Sequence, residues 1–80
     1  MGNDEAKLAR ILINPEKYLK VYNSKDFAKR NSRTIFLAMK HCGNGLDLIT
    51  LPQELYKRGK LDRVGGMGYL MTILESYNEQ

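Results

Sequence analysis

Apolar positions recur along this chain at three- and four-residue intervals, and period-two alternation is never sustained. Spacing of that kind predicts helices throughout and no sheet. The first helix is predicted over residues 4–13, with Leu8, Ile11 and Leu12 on one face. Asp4 and Glu5 fall in its first turn, where carboxylates complement the positive end of the helix dipole. Asn14-Pro15 then stops this helix and starts another, with Asn as N-cap and Pro at the first helical position. The second helix is predicted to run to about Tyr22, with Tyr18, Leu19 and Tyr22 facing inward. Asn23-Ser24 breaks the chain, and Asp26-Phe27 anchors a connecting segment.

A third helix is predicted from Asn31 or Ser32 to Cys42, with Ile35, Phe36, Met39 and Cys42 as its apolar stripe. Gly43 is its expected left-handed stop, and residues 43–45 are read as a loop. Thr50-Leu51-Pro52-Gln53 fits a capping box, in which Thr50 caps the helix and Gln53 reaches back to it. The fourth helix is therefore predicted over residues 51–58 and ended by Gly59. Leu61 and Val64 hook back onto the core. Gly65-Gly66 gives a sharp entry to a fifth helix, from Met67 to about Tyr77, with a stripe of Met67, Leu70, Ile73, Leu74 and Tyr77. The expected fold is all-α: a compact orthogonal bundle of five to six short helices. Its predicted core is Leu8, Leu12, Leu19, Phe27, Phe36, Met39, Leu55, Leu61, Leu70 and Leu74. Residues 1–3 and 78–80 are expected to fray.

Eighty residues, 42% of them hydrophobic, suffice for one core and not for two. A domain of this size buries only about 60% of its unfolded surface, so partner contacts add usefully to its stability. One cysteine, Cys42, excludes an intrachain disulfide and suits a reducing compartment. No run of about 18 apolar residues is present, and the first residues lack the pattern of a signal peptide. The expectation is a cytoplasmic protein without a membrane span.

Charge changes the picture more. The net charge is +4. Residues 1–40 carry nine Lys/Arg against four Asp/Glu, or +5, and residues 41–80 carry four against five, or −1. Lys17, Lys20, Lys25, Lys29, Arg30 and Arg33 hold most of the excess. If residues 25–33 are helical, Lys25, Lys29 and Arg33 share one face, with Tyr18 and Tyr22 near in sequence. Cations beside aromatics suit single-stranded nucleic acid through phosphate contacts and stacking. Lys25, Lys29, Arg30 and Arg33 are thus candidate anion or nucleic-acid contacts, although a solvated helix face explains the same pattern.

Signals for chemistry are weak. His41-Cys42 has no further His or Cys to complete a zinc site, and Cys42 lies on the apolar stripe. Gly65-Gly66-Met67-Gly68 fits neither phosphate-binding glycine pattern and follows no strand. Asp26, Asp47, Glu54 and Asp62 are spread among caps and turns, so no acid–base pair can be argued from them. No catalytic, cofactor-binding or metal-ligating residue is assigned.

The run Asp47-Leu48-Ile49-Thr50-Leu51 with Leu55, followed by Gly59-Lys60-Leu61, Val64-Gly65-Gly66 and Tyr69-Leu70, closely resembles a family pattern. That pattern is D-L-(I/V)-T-(L/V)-x-x-x-L…G-x-L-x-x-(I/V)-G-G-x-x-Y-L, from the N-terminal domain of DnaB-type replicative DNA helicases. Asp26-Phe27 with Ile35-Phe36 and Met39 resembles its D-F…I-F-x-x-M segment. Residues 5–15, ending in Asn14-Pro15, resemble its opening helix. The likeness spans residues 5–77. Two departures stand out: no Pro-rich segment precedes the first helix, and Ala28 follows Asp26-Phe27 where a Tyr is usual.

The resemblance implies a non-catalytic globular head of a helicase collar, across residues 1–80, supporting ring assembly and primase docking. The family's helical hairpin, linker and RecA-like motor, with its ATP and magnesium, fall outside this sequence. Implied partners are a primase C-terminal domain, other subunits of a ring hexamer, a helicase loader, and DNA through the parent protein. Tyr69, the tyrosine of the double-glycine motif, is the leading candidate contact, with Met67 beside it. Alternative readings are a free-standing or primase-side helicase-interaction adaptor, or a small basic single-stranded nucleic-acid-binding domain.

Overall fold

The computed structural model describes residues 3–78, and side-chain burial is defined for residues 4–76. Five α-helices follow in order: α1 (Asn3–Ile13), α2 (Pro15–Tyr18), α3 (Arg30–Cys42), α4 (Thr50–Lys57) and α5 (Gly66–Asn78). Short 3-10 turns at Ser24–Asp26 and Gly43–Gly45 join them, and no strand occurs among the described residues. The bundle is all-α, as the periodicity implied. α1 is the central element: it packs against α5, α3 and α2, while α3 also carries α4. The Cα radius of gyration is 11.1 Å, close to the roughly 11.6 Å of a well-packed chain of this length. One core therefore serves all five helices.

That core is built from Leu8, Ile11, Phe27, Ile35, Phe36, Met39, Leu51, Leu55, Leu70 and Ile73, all essentially without solvent exposure. Ala9, Ala38, Leu46 and Val64 complete it. Each fully buried large side chain of this kind contributes about 1.5–3 kcal/mol relative to exposure. Phe27 and Phe36 meet at 4.9 Å between ring centroids and tie the connecting segment to α3. Four predicted core residues, Leu12, Leu19, Leu61 and Leu74, are only partly buried, and Leu12, Leu19 and Leu61 pack against the cluster from its edge.

Local signals held at several junctions. The Asn14 side chain accepts from the Lys17 amide and caps α2. Asn23 and Asp26 form a reciprocal capping box around the first 3-10 turn. α4 ends in a Schellman motif: Lys60 N–H reaches Leu55 O at 2.8 Å and Gly59 N–H reaches Tyr56 O at 2.9 Å. Residues 61–66 repeat that geometry, with Gly66 N–H on Leu61 O and Gly65 N–H on Asp62 O. Val64 is carried into the core by this second turn.

Five expectations need correction. α2 ends at Tyr18 instead of Tyr22, because Val21 N–H turns to Tyr18 O and the chain must extend at Asn23 to cap the next turn. Residues 25–33 are not one helix: residues 24–26 form a 3-10 turn, and Phe27 and Lys29 are extended. Lys25, Lys29 and Arg33 consequently share no helical face. Gly43 takes φ 65°, which glycine tolerates, but its ψ of −142° lies outside the left-handed helical region.

The cap of α4 is shifted by three residues. Asp47 Oδ1 accepts from the amides of Ile49 and Thr50, each at 2.8 Å, and Thr50 Oγ1 accepts from Asp47 N–H at 2.9 Å. Thr50 is the returning partner of the box, and the exposed Gln53 is not part of it. Met67 was expected on the inward stripe and is 44% exposed. The buried face of α5 centres on Leu70 and Ile73, and Met67 lies about 120° round from Ile73 at 100° per residue. Asn3 and Asn78, expected to fray, are the terminal helical residues. Residues 1–2 and 79–80, and the side chain of Tyr77, lie outside what is described.

Candidate functional site

The N-terminal end of α5 is fixed by two close contacts. Gly65 has φ 113°, and a Cβ there would stand 2.7 Å from Tyr69 Cβ and 3.1 Å from Tyr69 Cγ. Only glycine lets the turn lie directly on this ring. The Tyr69 hydroxyl then donates to Glu5 Oε2 of α1 at 3.0 Å. Burial, with Glu5 accepting from the neutral phenol, pushes the Tyr69 pKa up to about 12. The side chain is half-buried, with its ring between the glycine turn and α1.

α3 begins beside this ring without a side-chain cap of its own. Its cap comes from α1. The Asp4 carboxylate accepts from Ala28 N–H at 3.1 Å and from Lys29 N–H at 3.0 Å. Burial raises the Asp4 pKa, but the Lys29 and Ala28 amides, with Ser32 and Lys7 nearby, outweigh it and hold the group below its ordinary value. Arg33 donates to Phe27 O at 3.0 Å and to Ala28 O at 3.1 Å. Its guanidinium pins the segment leading into α3.

Between the start of α3 and the turn before α5 runs a groove of about 430 Å³. Residues 29–32 form one wall, residues 63–65 the other, and Tyr69 closes one side. Lys29, Arg30 and Arg63 line it. Two of the four sequence candidates for anion contact therefore meet here. Lys25 lies in the 3-10 turn away from the groove, and Arg33 is engaged with backbone carbonyls. Arg63 was not foreseen, since nothing local marks a lone arginine in a turn; only the packing of α1 against α3 and α5 brings it opposite Arg30.

Met67 and Tyr69, named together from sequence, do not form one surface: two residues along a helix they lie about 160° apart. Met67 instead forms an exposed ridge with Met71, each 44% exposed. A second, more apolar groove of about 420 Å³ lies between α4 and the following turn, lined by Pro52, Gln53, Tyr56, Lys57 and Leu61. Tyr18 and Tyr22 stack with centroids 6.2 Å apart and pack against the core, so neither ring stands free for a base.

His41 Nε2 lies 3.8 Å from Glu54 Oε2, which also accepts from Arg58 Nε at 2.8 Å. The Arg58 hydrogen bond, ahead of His41, holds Glu54 below the ordinary carboxylate range. Cys42 is partly buried, and burial pushes its thiol pKa up, away from the reactive thiolate. No group of three or more His, Cys, Asp or Glu able to hold a metal ion occurs among the described residues. No helix among them is long and apolar enough to cross a membrane.

The sequence matches the DnaB-like helicase N terminal domain family over residues 3–80. The chain belongs to that family. The match covers every element described, including the double-glycine turn, Tyr69 and both walls of the basic groove. As a DnaB-like N-terminal domain, the chain places its most sharply constrained glycine contact, Gly65 on Tyr69, at the mouth of that groove.

Proposed function

We propose that this chain is a non-catalytic interaction domain of a replicative DNA helicase. Its task is to dock a primase C-terminal domain and to support assembly of the helicase ring, whose motor supplies ATP hydrolysis. The observation that carries the docking reading is the position of Tyr69. Its ring is clamped by Gly65 and its hydroxyl by Glu5, yet the residue keeps one side open to the groove. An aromatic held rigid before its partner arrives loses little entropy on binding and offers large contact area, which is the character of an interface hot spot.

The test is titration of the chain with the C-terminal domain of the cognate primase. Tyr69→Ala lowers affinity by about 2 kcal/mol or more if the residue is a hot spot, while circular dichroism remains helical. Tyr69→Phe keeps the ring and retains most of the affinity. Unchanged affinity in Tyr69→Ala, with a lowered melting temperature, would assign the tyrosine to folding alone and move docking to another surface.

A further inference from the structure

We infer that the groove between α3 and the turn before α5 is an anion-binding site that takes the carboxylates of an acidic peptide segment on the docking protein. The inference rests on the docking reading and adds the chemistry of the partner. Three cations converge there, from two segments distant in sequence: Lys29 and Arg30 on one wall, Arg63 on the other. None of the three side chains has a hydrogen bond or a carboxylate partner among the described residues. Three other basic groups are committed elsewhere: Arg33 to Phe27 O and Ala28 O, Arg58 to Glu54, Lys7 to Asp26 O.

The backbone at the start of α3 points the same way. Asp4 occupies the amides of Ala28 and Lys29, and the next three amides, of Arg30, Asn31 and Ser32, are first-turn positions for which the helix itself supplies no acceptor. First-turn amides of a thirteen-residue helix carry its positive end. Ser32 lies in the groove wall, only 1% exposed, with its hydroxyl turned to the Asp4 carboxylate. The two acidic neighbours do not fill the groove. Asp4 is held by the α3 amides, and Glu5 accepts from Tyr69.

Acidic peptide fits better than nucleic acid. Two guanidinium groups lining one groove suit carboxylates, which they can pair in bidentate fashion. A single strand needs a cationic track and exposed rings on which bases stack. Lys25 and Arg33 do not extend the groove into a track. Tyr69 offers a single ring with Gly65 packed against it, and Tyr18 and Tyr22 pack on the core, so the groove has no row of rings for successive bases.

The probes are a capped hexaglutamate peptide, a hexathymidylate oligonucleotide and sodium sulfate, each titrated into the chain and followed by amide NMR shifts. Hexaglutamate should give saturable shifts centred on residues 29–32 and 63–65, and an Arg30→Glu/Arg63→Glu variant should weaken it at least about tenfold. Both side chains are exposed, so the variant should stay folded, and Arg30→Gln/Arg63→Gln gives a milder check. Tighter binding of the oligonucleotide would overturn the inference in favour of nucleic-acid phosphate. Shifts with sulfate but not with hexaglutamate, or no shift with any of the three probes, would overturn it outright. The primase domain is titrated separately into the charge-reversed variant. Lost hexaglutamate binding with unchanged primase affinity overturns the partner assignment and leaves docking standing. Hexaglutamate binding in a chain that never binds the primase domain defeats docking and leaves the acidic-peptide site.

Discussion

The Tyr69 hydroxyl and the Glu5 carboxylate, 64 residues apart, meet at 3.0 Å and join the last helix to the first. Because burial and Glu5 both favour the neutral phenol, the group has a raised pKa of about 12 in the folded chain, against about 10 unfolded. The sign follows from linkage: a raised pKa gives stability that is complete below pH 10 and lost as pH climbs toward 12. Tyr69→Phe should remove that alkaline loss, seen by comparing urea unfolding of the two proteins at neutral pH and near pH 11. In an ultraviolet titration, the late-ionising phenol of Tyr69 should be missing from the variant.

Gly65→Ala should destabilise by roughly 2–4 kcal/mol, since it adds a strained φ to a backbone-adjacent clash. Gly59 supplies the control. Its φ is 69°, but a Cβ there meets nothing within 4 Å, so Gly59→Ala should cost only about 1–2 kcal/mol. Chemical denaturation of the two variants measures the difference. Equal costs would mean the turn slides off Tyr69 easily.

Asp4→Ala should cost about 1.5–3 kcal/mol, because it strips a charged acceptor from two part-buried amides at the start of α3. The folded pKa of Asp4 is depressed. Its contribution is therefore present above the ordinary carboxylate range and lost as pH falls below it. Wild type should lose stability toward acid more steeply than Asp4→Ala, as thermal melts between neutral pH and pH 3 would show.

At α4 the two possible capping pairs make opposite predictions. Asp47→Ala should lower the melting temperature, and Gln53→Ala should leave it unchanged. The reverse order in a melting comparison would restore the box that the sequence alone suggested.

Phe36→Ala should cost about 3–5 kcal/mol, the usual range for opening a large cavity in a core. In a chain of this size that approaches the whole stability. Loss of the cooperative thermal transition, with residual helical circular dichroism, is the expected reading.

Helix content, most boundaries, the Asn14 cap, the Gly59 stop and the double-glycine turn were determined by the sequence itself. Each depends on hydrogen bonds or side-chain spacing within a few residues, so local chemistry suffices. The Asp47–Thr50 cap is equally local, yet two overlapping boxes compete there, and the one with two donors onto Asp47 prevails. Tertiary structure decided the rest. Nothing near Arg30 announces a cap, because the carboxylate that caps α3 arrives from α1. Nothing in residues 60–64 marks Arg63, because its meaning comes from the cations it faces. The groove exists only where three helices pack around Leu8, Phe36 and Leu70, and long-range packing of that kind leaves no periodic trace along the chain.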